Sequence, residues 1–146
     1  MRFFLLIIIF ALPLFLSAKE TVRMADIELH IENIKEEGGT LWVHIFKDRE
    51  AFPAESHKAY RLDSGYVNDG KSRIIVKQIP FGTYALTIHH DKNNNEKMDK
   101  DFFGLPAEQY GLSNNPKIFM SLPGFDECRF EVDTQLVKLN IMMKRP

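Results

Sequence analysis

Pro80-Phe81-Gly82-Thr83-Tyr84-Ala85-Leu86-Thr87-Ile88-His89-His90-Asp91 decides the fold class. A Pro-x-Gly turn leads into a run in which Tyr84, Leu86 and Ile88 alternate with Ala85 and Thr87. Side chains of an extended chain point alternately to two faces, so period two means a half-buried strand. The same period recurs upstream. Ile27, Leu29 and Ile31 alternate with Glu28, His30 and Glu32, and Leu41, Val43 and Ile45 with Trp42, His44 and Phe46. The second of these strands is bulky on both faces and is expected at the centre of a sheet. The short Gly38-Gly39 turn between the two predicts a hairpin.

Further strands are expected over Lys71–Ile79, Cys128–Val132 and Leu136–Met143, the last with Val137, Leu139, Ile141 and Met143 on one face. Between residues 48 and 70 the pattern is less regular. Phe52 is expected to pack inward from an Ala51-Phe52-Pro53 loop, and Ser56–Leu62 reads as a helical turn or an irregular strand. Residues 91–127 form a long excursion rich in Asn, Asp, Gly and Pro. No segment has helical periodicity over ten residues, and no internal repeat or linker interrupts the chain. The expectation is an all-β fold: a single β-sandwich of about seven strands with a long loop excursion after the fifth.

Met1-Arg2, the apolar run Phe3–Leu16 and the small pair Ser17-Ala18 have the order of a signal peptide, which assigns 1–18 to a leader and 19–146 to one domain. No membrane span is expected after cleavage. Without Arg2 the remainder has 18 basic and 20 acidic residues, a net charge of −2, which gives no electrostatic argument for nucleic acid. The only cysteine, Cys128, cannot form an internal disulfide and reads as a buried small side chain. An exported chain without bridges points to a bacterial envelope, periplasmic or secreted.

The strand ends in Asp91-Lys92-Asn93-Asn94-Asn95-Glu96-Lys97-Met98-Asp99. Short oxygen-bearing side chains at positions 1, 3, 5 and 9 can wrap a hard cation, and Ca2+ takes about six to eight oxygens. The predicted metal ligands are Asp91, Asn93, Asn95, the backbone carbonyl of Lys97, and Asp99. The loop is not an EF-hand, since Glu96 and Phe102 hold positions that would need Gly and Glu. His89 and His90 point to opposite faces of a strand and cannot share one metal; with His30 and His44 their spacing specifies no zinc site. There is no nucleophile elbow, phosphate loop or His-Glu-x-x-His motif, so no enzymatic activity is expected.

Several motifs together resemble the bacterial exported family known as domain of unknown function 2141 (DUF2141). They are Phe52-Pro53, Gly82-Thr83-Tyr84, His90-Asp91-x-Asn93-x-Asn95-x-x-x-Asp99, Gly104-Leu105-Pro106, Glu108-x-Tyr110-Gly111-x-Ser113-Asn114 and Phe125-Asp126. Asn94 and Glu96 stand where that family often has Gly, and Leu112 where it often has an aromatic residue. The resemblance implies an immunoglobulin- or prealbumin-like sandwich and export, and no particular activity. The Asp91 loop spacing is also similar to calcium loops of bacterial surface B-type repeats. Prealbumin-like folds include a purine-pathway hydrolase whose terminal Tyr-Arg-Gly-Ser is absent here, where the chain ends Met143-Lys144-Arg145-Pro146.

The functional expectation is a Ca2+-stabilised envelope module that binds or assists an envelope protein or a glycan. The alternative is a small periplasmic hydrolase using His89 or His90 with Asp126, Glu108 or Asp99. Because structureless connections beyond about 12–15 residues are uncommon in compact domains, the excursion from Phe102 to Asp126 is expected to fold back over the Asp91 loop. That would bury several of Phe102, Phe103, Leu105, Tyr110, Leu112, Ile118, Phe119 and Phe125, and place Glu108, Ser113 and Asn114 beside the ion loop.

Overall fold

The computed structural model describes residues 21–118 and 121–145, without the side chain of Arg61. The predicted leader 1–18 and Phe119 lie outside the described residues. Among the described residues eight strands form two sheets: β1 Met24–Glu32, β2 Thr40–Phe46, β3 Arg61–Gly65, β4 Ser72–Pro80, β5 Gly82–Asp91, β6 Tyr110–Leu112, β7 Phe130–Val132 and β8 Leu136–Met142. The expected all-β sandwich is therefore observed. Among the described residues no helix is long and apolar enough to cross a membrane.

The smaller sheet has the order β4-β1-β8, with β1 antiparallel to β4 and parallel to β8. The larger runs β3-β2-β5-β6, and β7 also pairs with β5. β5 is long enough to serve two short partners: β7 lies beside its start, Gly82–Tyr84, and β6 beside its end, Thr87–His89. Just past β8, Lys144 exchanges backbone hydrogen bonds with Tyr110 of β6 at 2.7 and 3.1 Å, which joins the two sheets along one edge.

β2 is central, as its two bulky faces require. The predicted β1–β2 hairpin is not formed, because the two strands belong to opposite sheets. Their apolar stripes, Ile27/Leu29/Ile31 and Leu41/Val43/Ile45, face the same core, and every one of these side chains is buried. Pairing them edge to edge would leave those stripes side by side on one sheet face with no opposite layer. The connection instead crosses between sheets and passes close to the end of β5. A Cβ on Gly39 would sit 2.4 Å from the Asp91 carbonyl oxygen, and Gly39 has φ +69°, so this passage requires glycine.

A second apolar cluster lies on the outer face of the larger sheet. Phe46, Ala85 and Leu112 of the sheet are covered by Phe52, Phe125 and Cys128. The rings of Phe46 and Phe52, 5.4 Å apart, and of Phe52 and Phe125, 6.0 Å apart, meet edge to face. Phe52 thus packs inward as expected. Cys128 is buried but belongs to a single helical turn, α1 Phe125–Cys128, and the strand begins only at Phe130. Ser56–Leu62 divides into a 3-10 turn, Ser56–Lys58, and the start of β3.

The excursion folds back only in its second half. Leu112 and Phe125 are buried and Ile118 packs against them, but Phe102 is 96% exposed, Phe103 83% and Leu105 59%. The tip is a self-contained turn. The Asp101 carboxylate accepts the Phe103 and Leu105 N–H groups, both at 2.9 Å, and the Asp101 N–H donates to the Leu105 carbonyl. With its backbone satisfied locally, the tip does not need the sandwich.

Candidate functional site

On β5 the residues Ala85, Thr87, His89 and Asp91 share the outer face, opposite the buried stripe of Tyr84, Leu86 and Ile88. Asp91 is fully buried at the strand end. Its Oδ1 accepts the Asn95 N–H at 3.1 Å, and its Oδ2 accepts the Glu96 N–H at 2.8 Å and the Trp42 indole N–H at 3.1 Å. Burial pushes its pKa up. The indole and the two amides outweigh that and hold Asp91 below the usual carboxylate value. Turning the chain this tightly puts Asn94 at φ 56° and Glu96 at φ 61°, the left-handed region that suits Gly at both positions.

The other predicted ligands converge on Asp99. The Asn93 amide donates to Asp99 Oδ2 at 2.8 Å and the Asn95 amide to Asp99 Oδ1 at 3.0 Å. Asn93 Oδ1 accepts the Asn95 N–H at 3.2 Å, and Asn95 Oδ1 the Lys97 N–H at 2.9 Å. Asp91, Asn93, Asn95 and Asp99 thus form one connected cluster around the loop. Rotating either amide about its last torsion would present Oδ1 in place of N–H beside the Asp99 carboxylate, the donor type that a hard cation needs. Lys97 could add only its carbonyl. Among the described residues no group of three or more His, Cys, Asp or Glu could hold a metal ion, so a cation here depends on the amide oxygens.

Glu108 fastens this loop to the sheet. Its Oε1 accepts the Lys92 N–H at 2.9 Å, and its Oε2 accepts the Asp99 N–H at 3.1 Å and the His89 Nε2–H at 2.7 Å. Glu108 and His89 are both buried, 9% and 7% exposed, so one carboxylate ties together the two ends of the loop and an imidazole. His90 points the other way and donates to the Gly38 carbonyl at 2.8 Å. Of the three carboxylates expected to partner a histidine, Glu108 does so directly and Asp99 contributes only its N–H to Glu108. Asp126 instead pairs with Arg49 on the surface.

Ser113 and Asn114 are not beside the ion loop. Ser113 Oγ accepts the Leu86 N–H at 3.0 Å and donates to the Cys128 carbonyl at 2.5 Å, while Asn114 donates to the Arg129 carbonyl at 2.6 Å. They pin α1 to the middle of β5, because β6 runs antiparallel to β5 and carries the chain back along it from beside His89 to beside Thr87. Burial pushes the Cys128 thiol up to about 11, with the Glu127 charge adding to it, so Cys128 is no thiolate nucleophile.

A largely apolar groove of about 510 Å³ crosses the outer face beside the loop. Trp42 and His44 of β2, Thr87 and His89 of β5, and Tyr110 of β6 supply its floor. Pro53, Leu62 and Leu122, together with Met98, Lys100 and Pro106 of the excursion, rise around it. Burial, with a smaller contribution from the nearby His89, pulls His44 down to about 4 and keeps it neutral at neutral pH. The sequence carried one sign of this surface. Trp42 and His44 are too large for a bare outer face, so something had to stand over them.

The fold and site define a β-sandwich with an oxygen-rich loop and a groove on the outer face of its larger sheet. The family model described as "Uncharacterized protein conserved in bacteria (DUF2141)" matches residues 29–140, and the chain belongs to that family. No curated protein and no solved structure matches it.

Proposed function

We propose that this protein is an exported, non-enzymatic module of the bacterial envelope that binds a protein segment or a glycan in the outer-face groove, with Ca2+ holding the Asp91 loop in place. One observation carries the reading: the residues 91–99 that gather two carboxylates and two amides also supply Met98 to the groove. An ion that stiffens the loop therefore stiffens a groove wall. Trp42, the only tryptophan, lines the groove and donates to Asp91, so its fluorescence reports both events. Titration of chelated protein with Ca2+ should change Trp42 emission and raise the melting temperature. At 100-fold saturation a single site adds about 2.7 kcal/mol. Identical melting with chelator and with millimolar Ca2+ rejects the ion. Export is tested by the mass of the chain recovered outside the cytoplasm, expected to lack residues 1–18.

A second reading is favoured by one contact. His89, oriented by Glu108 at 2.7 Å inside a groove, has the arrangement of a general base for hydrolysis. Turnover of chromogenic esters that is lost in His89→Gln would support a hydrolase. Rates equal to the buffer control would leave only the binding module.

A further inference from the structure

The groove holds a second set of donors, separate in chemistry from the oxygen loop. We propose that His44, His89 and Met98, with the face of Trp42, form a binding site for monovalent copper. His44 pairs with Thr87 in the β2–β5 register, which makes His44 and His89 diagonal neighbours on one face. Diagonal Cα atoms of an antiparallel pair lie about 7–8 Å apart, within reach of two imidazoles closing on one ion. Trp42 is directly opposite His89 in the same register. Met98 is brought to the pair by Glu108, whose Oε2 bonds both His89 Nε2 and the amide N–H of Asp99, the residue after Met98. All four side chains line the one groove.

The donor types select the ion. A thioether and imidazoles are soft to borderline ligands, and thioether favours Cu+ over Zn2+ or Ca2+. Lys97, Lys100 and Glu96 also line the groove, and the Glu108 carboxylate backs His89. An indole face attracts a cation more strongly than any other aromatic side chain. The His89 Nε2–H bond to a carboxylate is also the usual arrangement outside a metal-bound imidazole. It fixes the tautomer and leaves Nδ1 as the ligating nitrogen.

The test uses the full chain under anaerobic conditions, with Cu+ kept reduced by ascorbate and buffered by bicinchoninate. The expected result is one Cu+ withdrawn from the chelator per chain, with quenching of Trp42. Glu108→Gln should lower the affinity about 10–100-fold, and His44→Gln, His89→Gln and Met98→Leu at least as much. Met98→Leu keeps the volume and the fold, so its loss is read on a folded protein. His30→Gln, on the other sheet, and Cys128→Ala should bind as the parent does. Failure to withdraw Cu+, parental affinity in Met98→Leu and His44→Gln, loss of binding in Cys128→Ala, or displacement by millimolar Ca2+ would each overturn the proposal. The Ca2+ titration is read separately, so either site can fail alone.

Discussion

Asp91→Asn tests how the loop is organised. The Asp91 carboxylate receives three N–H groups, from Trp42, Asn95 and Glu96, at 2.8–3.1 Å in a fully buried position. Hydrogen bonds to a charged group contribute about 1.5–3 kcal/mol each. Asparagine keeps one oxygen and so preserves one or two of these bonds. Its amide N–H2 must then face at least one of the same donors, which loses that bond and sets donor against donor. The expected loss is about 2–4 kcal/mol. A domain of this size shifts by about 3–5 °C per kcal/mol, so the melting temperature should fall by about 6–20 °C.

The pH dependence has a definite sign. Asp91 is held below its ordinary value of 3.8 in the folded protein, so its contribution is present above that value and is lost as pH falls through the folded pKa. Melting followed by circular dichroism in chelator, from pH 7 down to pH 2, should show parent and variant far apart at neutral pH and drawing together in acid. A loss at pH 7 below about 1 kcal/mol would be within the range of an ordinary substitution. That result, or a gap that persists undiminished at pH 2, would refute the idea that the ionised carboxylate organises the loop.

Gly111→Ala should destabilise by about 1–3 kcal/mol in denaturant titration, because its Cβ would lie 2.6 Å from Ile141 Cγ2 and 3.0 Å from Met143 Sδ, where β6 presses on the core. Ser113→Ala should cost about 1–3 kcal/mol in the same assay by stripping a buried oxygen from the Leu86 N–H and the Cys128 carbonyl. Phe102→Ser with Phe103→Ser should leave stability within about 0.5 kcal/mol, since both rings are in solvent. A larger loss would mean that the tip packs on the sandwich.

Period-two alternation was enough to read the strands and their buried faces from residues such as Ile27/Leu29/Ile31 and Leu41/Val43/Ile45, because a buried face leaves its mark on every second residue. It said nothing of which strands pair. A hairpin and a crossing between sheets both join two such stripes by a short Gly-containing segment, and only the global requirement for an opposing layer separates them. β6 escaped notice because three residues, one of them Gly111, are too few to show a period. The gathering of Asp91, Asn93, Asn95 and Asp99 into one loop cluster was legible, since Asx chemistry is local. Glu108 could be named as a candidate partner but not as the group that closes the loop, because its bonds reach back to Lys92 and His89 across the excursion. The groove was least visible of all. It is made by chain segments that meet only after the sheet has formed, and its histidines are far apart in sequence.

The parallel pairing of β1 with β8 sets a schedule for biosynthesis. β1 is the middle strand of its sheet, yet Ile27 meets its partner Val137 only after 110 further residues have been made. At about 5–20 residues per second, an emerging β1 waits about 5–20 s with one edge unpaired. A chain built this way stays incompletely folded for most of its translation, and an apolar strand with a free edge is a template for aggregation. The nascent protein is therefore a natural client for holding chaperones, and truncation before Leu136 should yield insoluble product rather than a smaller stable domain.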